Sequence, residues 1–298
     1  MKHDLTYFYR YLPLSRKDRQ APIHVIAGGY TLIPPAMPYP PVKHPMDHQM
    51  SWDRGRTLSE YQIVYITRGT GEFETEECGV QRIEAGRMFI LFPGIWHRYR
   101  PDGETGWDEY WIAFQGPGIP GLLKEYGFSV KEPLMDVGVQ DFVLHEFRQI
   151  VEELNNEKVG YQQVIAARTV QVMANTHAAI RRKEFEGTDI QRVIEKAKDL
   201  LAEQIEVSVN VEELASSLHV GYSWFRRMFR QYVGMPPAQY QLQLRLNKAR
   251  ELLCNSTLPV GTIAEQNGFI SSYYFARVFR KKFGRSPSAF RRKSRWRS

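Results

Sequence analysis

The chain has 298 residues, 43% hydrophobic and 24% charged, long enough for two domains and apolar enough to bury real cores. No apolar run has the length of a membrane span, the start Met1-Lys2-His3-Asp4-Leu5 lacks a secretory pattern, and two cysteines, Cys78 and Cys254, give no disulfide framework, so a cytoplasmic location is expected. The net charge of +7 is uneven: residues 1–189 hold 21 Lys+Arg and 25 Asp+Glu (−4), residues 190–298 hold 19 and 8 (+11), so a polyanionic partner belongs to the second part.

Residues 1–21 read as an N-terminal arm carrying Tyr7, Phe8, Tyr9, Arg10 and Tyr11. Pro34-Pro35, Pro38 and Pro40-Pro41 then suggest an extended strap rather than a strand. Residues 22–140 form a domain rich in short strands. Tyr61–Thr67 alternates, Arg68-Gly69-Thr70-Gly71 makes a turn and Glu72–Thr75 returns. Met88–Phe92 is a short buried run, followed by Trp96–Arg100 and Trp107–Phe114. Gly/Pro punctuation between such strands suggests a barrel or jelly roll. A metal barrel needs paired imidazoles, and His97-Arg98-Tyr99 offers one; His44 and His48 are expected to face solvent. No nucleophile elbow or phosphate loop is present. Neither catalysis nor a cofactor is expected. Two amphipathic helices over residues 141–181 are either barrel cover or a dimer seam, the latter preferred. Polar residues 182–189 are the linker.

Residues 190–298 repeat themselves. Phe225, Arg227, Phe229, Arg230, Gly234 and Pro237 recur 50 positions later as Phe275, Arg277, Phe279, Arg280, Gly284 and Pro287. Upstream, Leu214-Ala215 matches Ile263-Ala264 after a shift of one residue. Each copy reads as helix, tight turn, helix. Asn210 caps the first helix, and His219-Val220-Gly221 forms the turn with Gly221 free to take positive φ. The second helix spans about Tyr222–Val233 and buries Phe225 and Phe229. In the other copy, helices at Val260–Asn267 and Ser272–Phe283 flank Gly268. A helix from Ala238 to Leu253 separates the copies. A helix pair with a glycine turn is the helix-turn-helix device, whose second helix enters the major groove of double-stranded DNA. Ser223, Arg226 and Arg227 in one copy, and Ser272, Tyr273 and Arg277 in the other, are the candidate base readers. Ser223 and Ser272 could instead simply cap their helices. Arg230, Arg280, Lys281, Lys282 and the Arg291–Arg297 cluster suit phosphates.

Over residues 190–293 the chain resembles the AraC/XylS-type DNA-binding domain. Ile263–Phe269, Tyr274–Lys281, Gly284-Arg285-Ser286-Pro287 and Phe290-Arg291 carry the resemblance. It implies a seven-helix domain that activates transcription through contact with RNA polymerase. Over residues 20–115 the strands resemble the cupin-like sensor half of arabinose-responsive regulators. There the likeness rests on Ile66–Gly71, Leu91-Phe92-Pro93-Gly94 with His97 and Tyr99, and Trp111 before Phe114. It implies a small carbohydrate effector lined by Arg68, Tyr99, Glu109 and Trp111, an aromatic arm closing over it, and a homodimer. Arg68 could equally pair with an acid at the barrel rim. The expected fold class is therefore α+β: a cupin-like barrel with a helical hairpin, then an all-α domain with two helix-turn-helix units. Two alternatives stay open: a ligand-independent dimeric regulator, and a metal-dependent cupin enzyme fused to a DNA-binding module.

Overall fold

A computed structural model describes residues 6–40, 51–207 and 209–295. His44 and His48 lie outside them, as does Arg297 at the end of the basic tail. The chain divides into two compact units, residues 1–184 and 185–298.

The first unit begins with β1 (Thr6–Tyr11), the short helix α1 (Arg16–Arg19) and β2 (His24–Ile33). Then come β3 (Arg56–Thr57), β4 (Tyr61–Thr75), β5 (Gly79–Glu84), β6 (Arg87–Leu91), β7 (Trp96–Pro101) and β8 (Trp107–Gln115). Helix α2 (Ile119–Tyr126), β9 (Leu134–Asp136), α3 (Asp141–Asn156) and α4 (Tyr161–Lys183) complete it. One antiparallel layer runs β1-β2-β8-β4-β6-β9; the other places β7 between β3 and β4, with β5 on the far side of β4. Strand β4 serves both layers. The arm expected at the N-terminus is thus largely a strand, with Tyr11 paired to Ala27 of β2.

Alternation along the strands sorts side chains between two cores. Ile63, Tyr65, Met88 and Ile90 face the helices, whereas Val64, Ile66, Phe89 and Leu91 face the barrel interior. Both faces are apolar, which is why Met88–Leu91 is hydrophobic without a break. Helices α3 and α4 lay Phe147, Ile150, Leu154, Ile165 and Met173 on the outer sheet face. The phenol of Tyr65 fastens the start of α3: it donates to the Gly138 carbonyl at 2.6 Å and accepts from the Gln140 amide at 2.9 Å.

One expected turn is corrected. Residues 68–71 do not reverse the chain, because β4 continues to Thr75 and turns at residues 76–78. Gly69 instead bends the strand: its φ is +81°, and a Cβ there would meet the Gly106 carbonyl oxygen at 1.9 Å. A register shift between Ile66 and Arg68 accompanies the bend.

The second unit holds seven helices among its described residues: α5 (Asp189–Glu203), α6 (Val211–Ser217), α7 (Tyr222–Val233), α8 (Pro237–Asn255), α9 (Val260–Gln266), α10 (Ser272–Phe283) and α11 (Pro287–Arg295). Phe225 and Phe229 fill one core with Leu214 and Ala215, and Phe275 and Phe279 fill another with Ile263 and Ala264. Each phenyl is fully buried, so truncation to alanine would cost about 3–5 kcal/mol. Asn210 caps α6 by accepting from the Glu212 amide at 3.0 Å. The left-handed turn residue of the first copy is His219 (φ +57°), not Gly221, which is extended at φ −69° and precedes α7. Gly268 (φ +68°) holds the same place in the second copy.

Candidate DNA-reading surface and barrel cavity

Helices α7 and α10 bury one face and expose the other. Ser223, Arg226, Arg227 and Arg230 are exposed on α7; Ser272, Tyr273, Arg277, Arg280, Lys281 and Lys282 are exposed on α10. These ten candidate DNA contacts therefore lie on the open faces of the second helix of each pair, while the Arg291–Arg297 cluster begins on α11. The helix caps are Gly221 and Ser271, so neither Ser223 nor Ser272 caps; Ser271 accepts from the Tyr274 amide at 3.1 Å. Arg277 stands over the Tyr274 ring, 5.5 Å from its centroid, and Lys282 donates to Gln243 at 3.1 Å.

A polar joint ties the two helix pairs together. Gln241 and Arg245, one turn apart on α8, are both buried. Gln241 donates to the Gln204 and Val207 carbonyls at 3.2 Å each. Arg245 bonds the Val207 carbonyl and, at 3.1 Å, that of Gly268 in the second turn. The spacing of apolar residues on α8 carries no sign of this joint.

Inside the barrel is a small cavity of about 30 Å³. Three of the four expected ligand residues, Tyr99, Glu109 and Trp111, line it. Arg68 does not. The bulge in β4 turns it outward, where it bonds Asp108 at 2.7 Å and its side chain is 50% exposed. Arg56 of β3 supplies the guanidinium instead, donating to the Tyr99 hydroxyl at 2.9 Å and to His97 Nε2 at 3.3 Å. Tyr39, from the expected strap, reaches in and donates to Glu109 Oε2 at 3.3 Å. Its ring packs on Tyr99 and Trp107, with centroids 6.0 and 5.8 Å away. Tyr11 lies 6.4 Å from Trp111.

Burial governs protonation here. Desolvation pushes Glu109 from 4.5 up to about 7, against hydrogen bonds and the Arg56 charge that favour the carboxylate. Desolvation, then the Arg56 charge, push His97 from 6.5 down to about 4. The His97 ring is neutral, with Nδ1 3.1 Å from the Ile95 carbonyl and Nε2 accepting from Arg56. Burial also raises the phenols of Tyr39 and Tyr99, and moves Tyr11 up to about 12. Among the described residues, no group of three or more His, Cys, Asp or Glu side chains is placed to hold a metal ion. Nor is any helix among them long and apolar enough to cross a membrane.

A barrel with an internal polar cavity, joined to a basic unit that presents two helix-turn-helix faces, defines a DNA-binding transcription regulator with a ligand-binding domain. The AraC-like ligand binding domain matches residues 42–170 and the Helix-turn-helix domain matches residues 214–293. The chain belongs to the AraC family. It is 26% identical to the MmsAB operon regulatory protein of Pseudomonas aeruginosa, over 84% of this chain and 80% of that protein. The Msm operon regulatory protein of Streptococcus mutans is 25% identical over 80% of this chain and 86% of its own length. The Arabinose operon regulatory protein of Salmonella typhimurium is 24% identical over 80% and 86% respectively.

Proposed function

We propose that the barrel binds a small carbohydrate and that binding shifts a homodimer between two arrangements of its DNA-binding units, activating transcription through RNA polymerase. The observation that carries the reading is the cavity lined together by Glu109, Arg56, Tyr99 and Trp111. Carboxylate and guanidinium suit sugar hydroxyls, and an indole face suits sugar C–H groups. The relative that serves an arabinose operon supports it. On the DNA side, Ser223, Arg226, Arg227, Ser272, Tyr273 and Arg277 read bases, while Arg230, Arg280, Lys281 and Lys282 hold phosphates. The outer faces of α3 and α4 form the dimer seam.

A monosaccharide does not fit the present 30 Å³. Pockets for small ligands in general run to about 300 Å³ or more. Entry therefore requires Tyr39 to withdraw, a sugar hydroxyl replacing its phenol on Glu109. A ligand must bind one arrangement better than the other to act as a switch, and displacement of the strap supplies that difference.

Calorimetric titration with a panel of pentoses, hexoses and short glycans tests the reading. One sugar should bind. Tyr39→Ala should bind it at least about ten-fold more tightly, since the competing internal contact is gone. Trp111→Ala should lose the transcriptional response while keeping affinity for DNA. The small cavity favours a second reading, in which the barrel only dimerises. A panel silent for both wild type and Tyr39→Ala would establish that one.

A further inference from the structure

The two helix-turn-helix copies differ by one residue, and that residue is Ile270. In the first copy the Val220 amide donates to the Ala215 carbonyl at 3.1 Å; in the second the Phe269 amide donates to the Ala264 carbonyl at 3.0 Å. Val220 and Phe269 are therefore equivalent, as are the left-handed His219 and Gly268 just before them. Gly221 then caps α7 directly after Val220, whereas Ile270 intervenes between Phe269 and the cap Ser271. Val220 packs against its core. Ile270 belongs to neither core of the unit and is 93% exposed.

The large hydrophobic side chains exposed in this unit, among its described residues, are Val207, Tyr222, Ile270 and Tyr273. Three of those four stand at the N-terminal ends of α7 and α10. That is the end of a reading helix from which side chains reach base edges. A branched aliphatic group makes no hydrogen bond there. What the major groove offers such a group is the 5-methyl of thymine.

We propose that Ile270 is a specificity residue of the second reading helix, packing on a thymine methyl beside the bases met by Tyr273 and Arg277. The inference rests on the reading that α10 enters the major groove. It makes the two copies unequal: the second prefers a thymine at one position through an apolar contact from an inserted residue that the first lacks.

The probe is a duplex selected from a random-sequence pool with the full-length chain, then resynthesised with deoxyuridine replacing each thymine in turn. Deoxyuridine removes only the methyl. Wild type should lose about four-fold in affinity at one thymine of the α10 half-site, the effect of one buried carbon. Ile270→Ala should bind the unmodified duplex weaker by a similar factor and ignore the methyl at that thymine. Its thermal midpoint should equal that of wild type, because the side chain supports no core. Arg277→Ala in the same titration separates two failures. If it loses affinity while Ile270→Ala keeps wild-type affinity and methyl sensitivity, Ile270 is not a reader but α10 still reads the groove. If both variants bind as wild type, the groove reading falls as well. A site with no methyl-sensitive thymine, or an Ile270→Ala variant that binds normally yet activates poorly, also overturns the proposal.

Discussion

Glu109 and His97 occupy the same barrel and titrate in opposite senses. The Glu109 carboxyl is held above its ordinary value, so the folded state binds the extra proton. Its contribution is complete below 4.5 and is lost as pH rises towards about 7. The His97 imidazole is held below its ordinary value. Its contribution is complete above 6.5 and is lost as pH falls towards about 4. Between roughly pH 4.5 and 6.5 the two slopes offset each other. Each single variant should therefore unmask the other group. Glu109→Gln should lose stability on acidification through that window, and His97→Gln should lose it as pH rises, each by about 3 kcal/mol in urea melts. Parallel curves for both variants and wild type would remove this pair from the stability profile. Tyr99, Glu109 and Trp111 were legible through the likeness of their motifs to the sensor half of arabinose-responsive regulators, and each lies on a strand whose alternation points it into the cavity. Arg68 rested on the same likeness and was misplaced: a bulge between Ile66 and Arg68 turns its side chain to the other face, as a one-residue slip does. Arg56 left no signal: it sits on a two-residue strand and enters the cavity only through pairing with β7.

Among the elements, the turn of the second helix pair bears the tightest constraint. Gly268 combines φ +68° with a site where a Cβ would meet the Glu206 carbonyl oxygen at 2.5 Å and Arg245 Cζ at 3.1 Å. Gly268→Ala should thus destabilise the second unit by about 1–3 kcal/mol, read by thermal or urea unfolding. The corresponding His219 already carries a side chain in the left-handed region, and glycine is not required there. Helical periodicity read α7 and α10 well, since long amphipathic segments with Gly234 and Gly284 beyond their ends leave little choice. It did not place α5, which precedes the duplicated segment and has no counterpart in the repeat. The turn at residues 68–71 was misread because glycines that bend a strand and glycines that reverse it look alike until the partner strands are known. Gln241 and Arg245 were invisible for a different reason: a pattern of apolar residues does not register polar groups that bury themselves on carbonyls.

At the scale of the molecule, chemistry divides by charge. The +11 of residues 190–298 is concentrated on a unit whose aromatic cores are closed and whose second helices hold their basic side chains outside. Affinity for any duplex should fall steeply with salt, and loss of Lys281 should lower the salt slope by about one while weakening all sequences alike. Loss of Arg227 or Arg277 should instead cost roughly 1–3 kcal/mol on the selected site and relax preference at one position. Binding titrations at several salt concentrations distinguish the two behaviours. Equal losses on selected and random duplexes would reassign both arginines to the backbone.

The joint made by Gln241 and Arg245 has a consequence for the operator. Because it bonds the chain entering the first helix pair to the turn of the second, the pairs behave as the jaws of a fixed caliper. About five extra base pairs between the two half-sites turn one of them to the opposite side of the duplex. A caliper cannot follow that rotation, so such an operator should engage only one jaw, and about ten extra base pairs should not restore the grip.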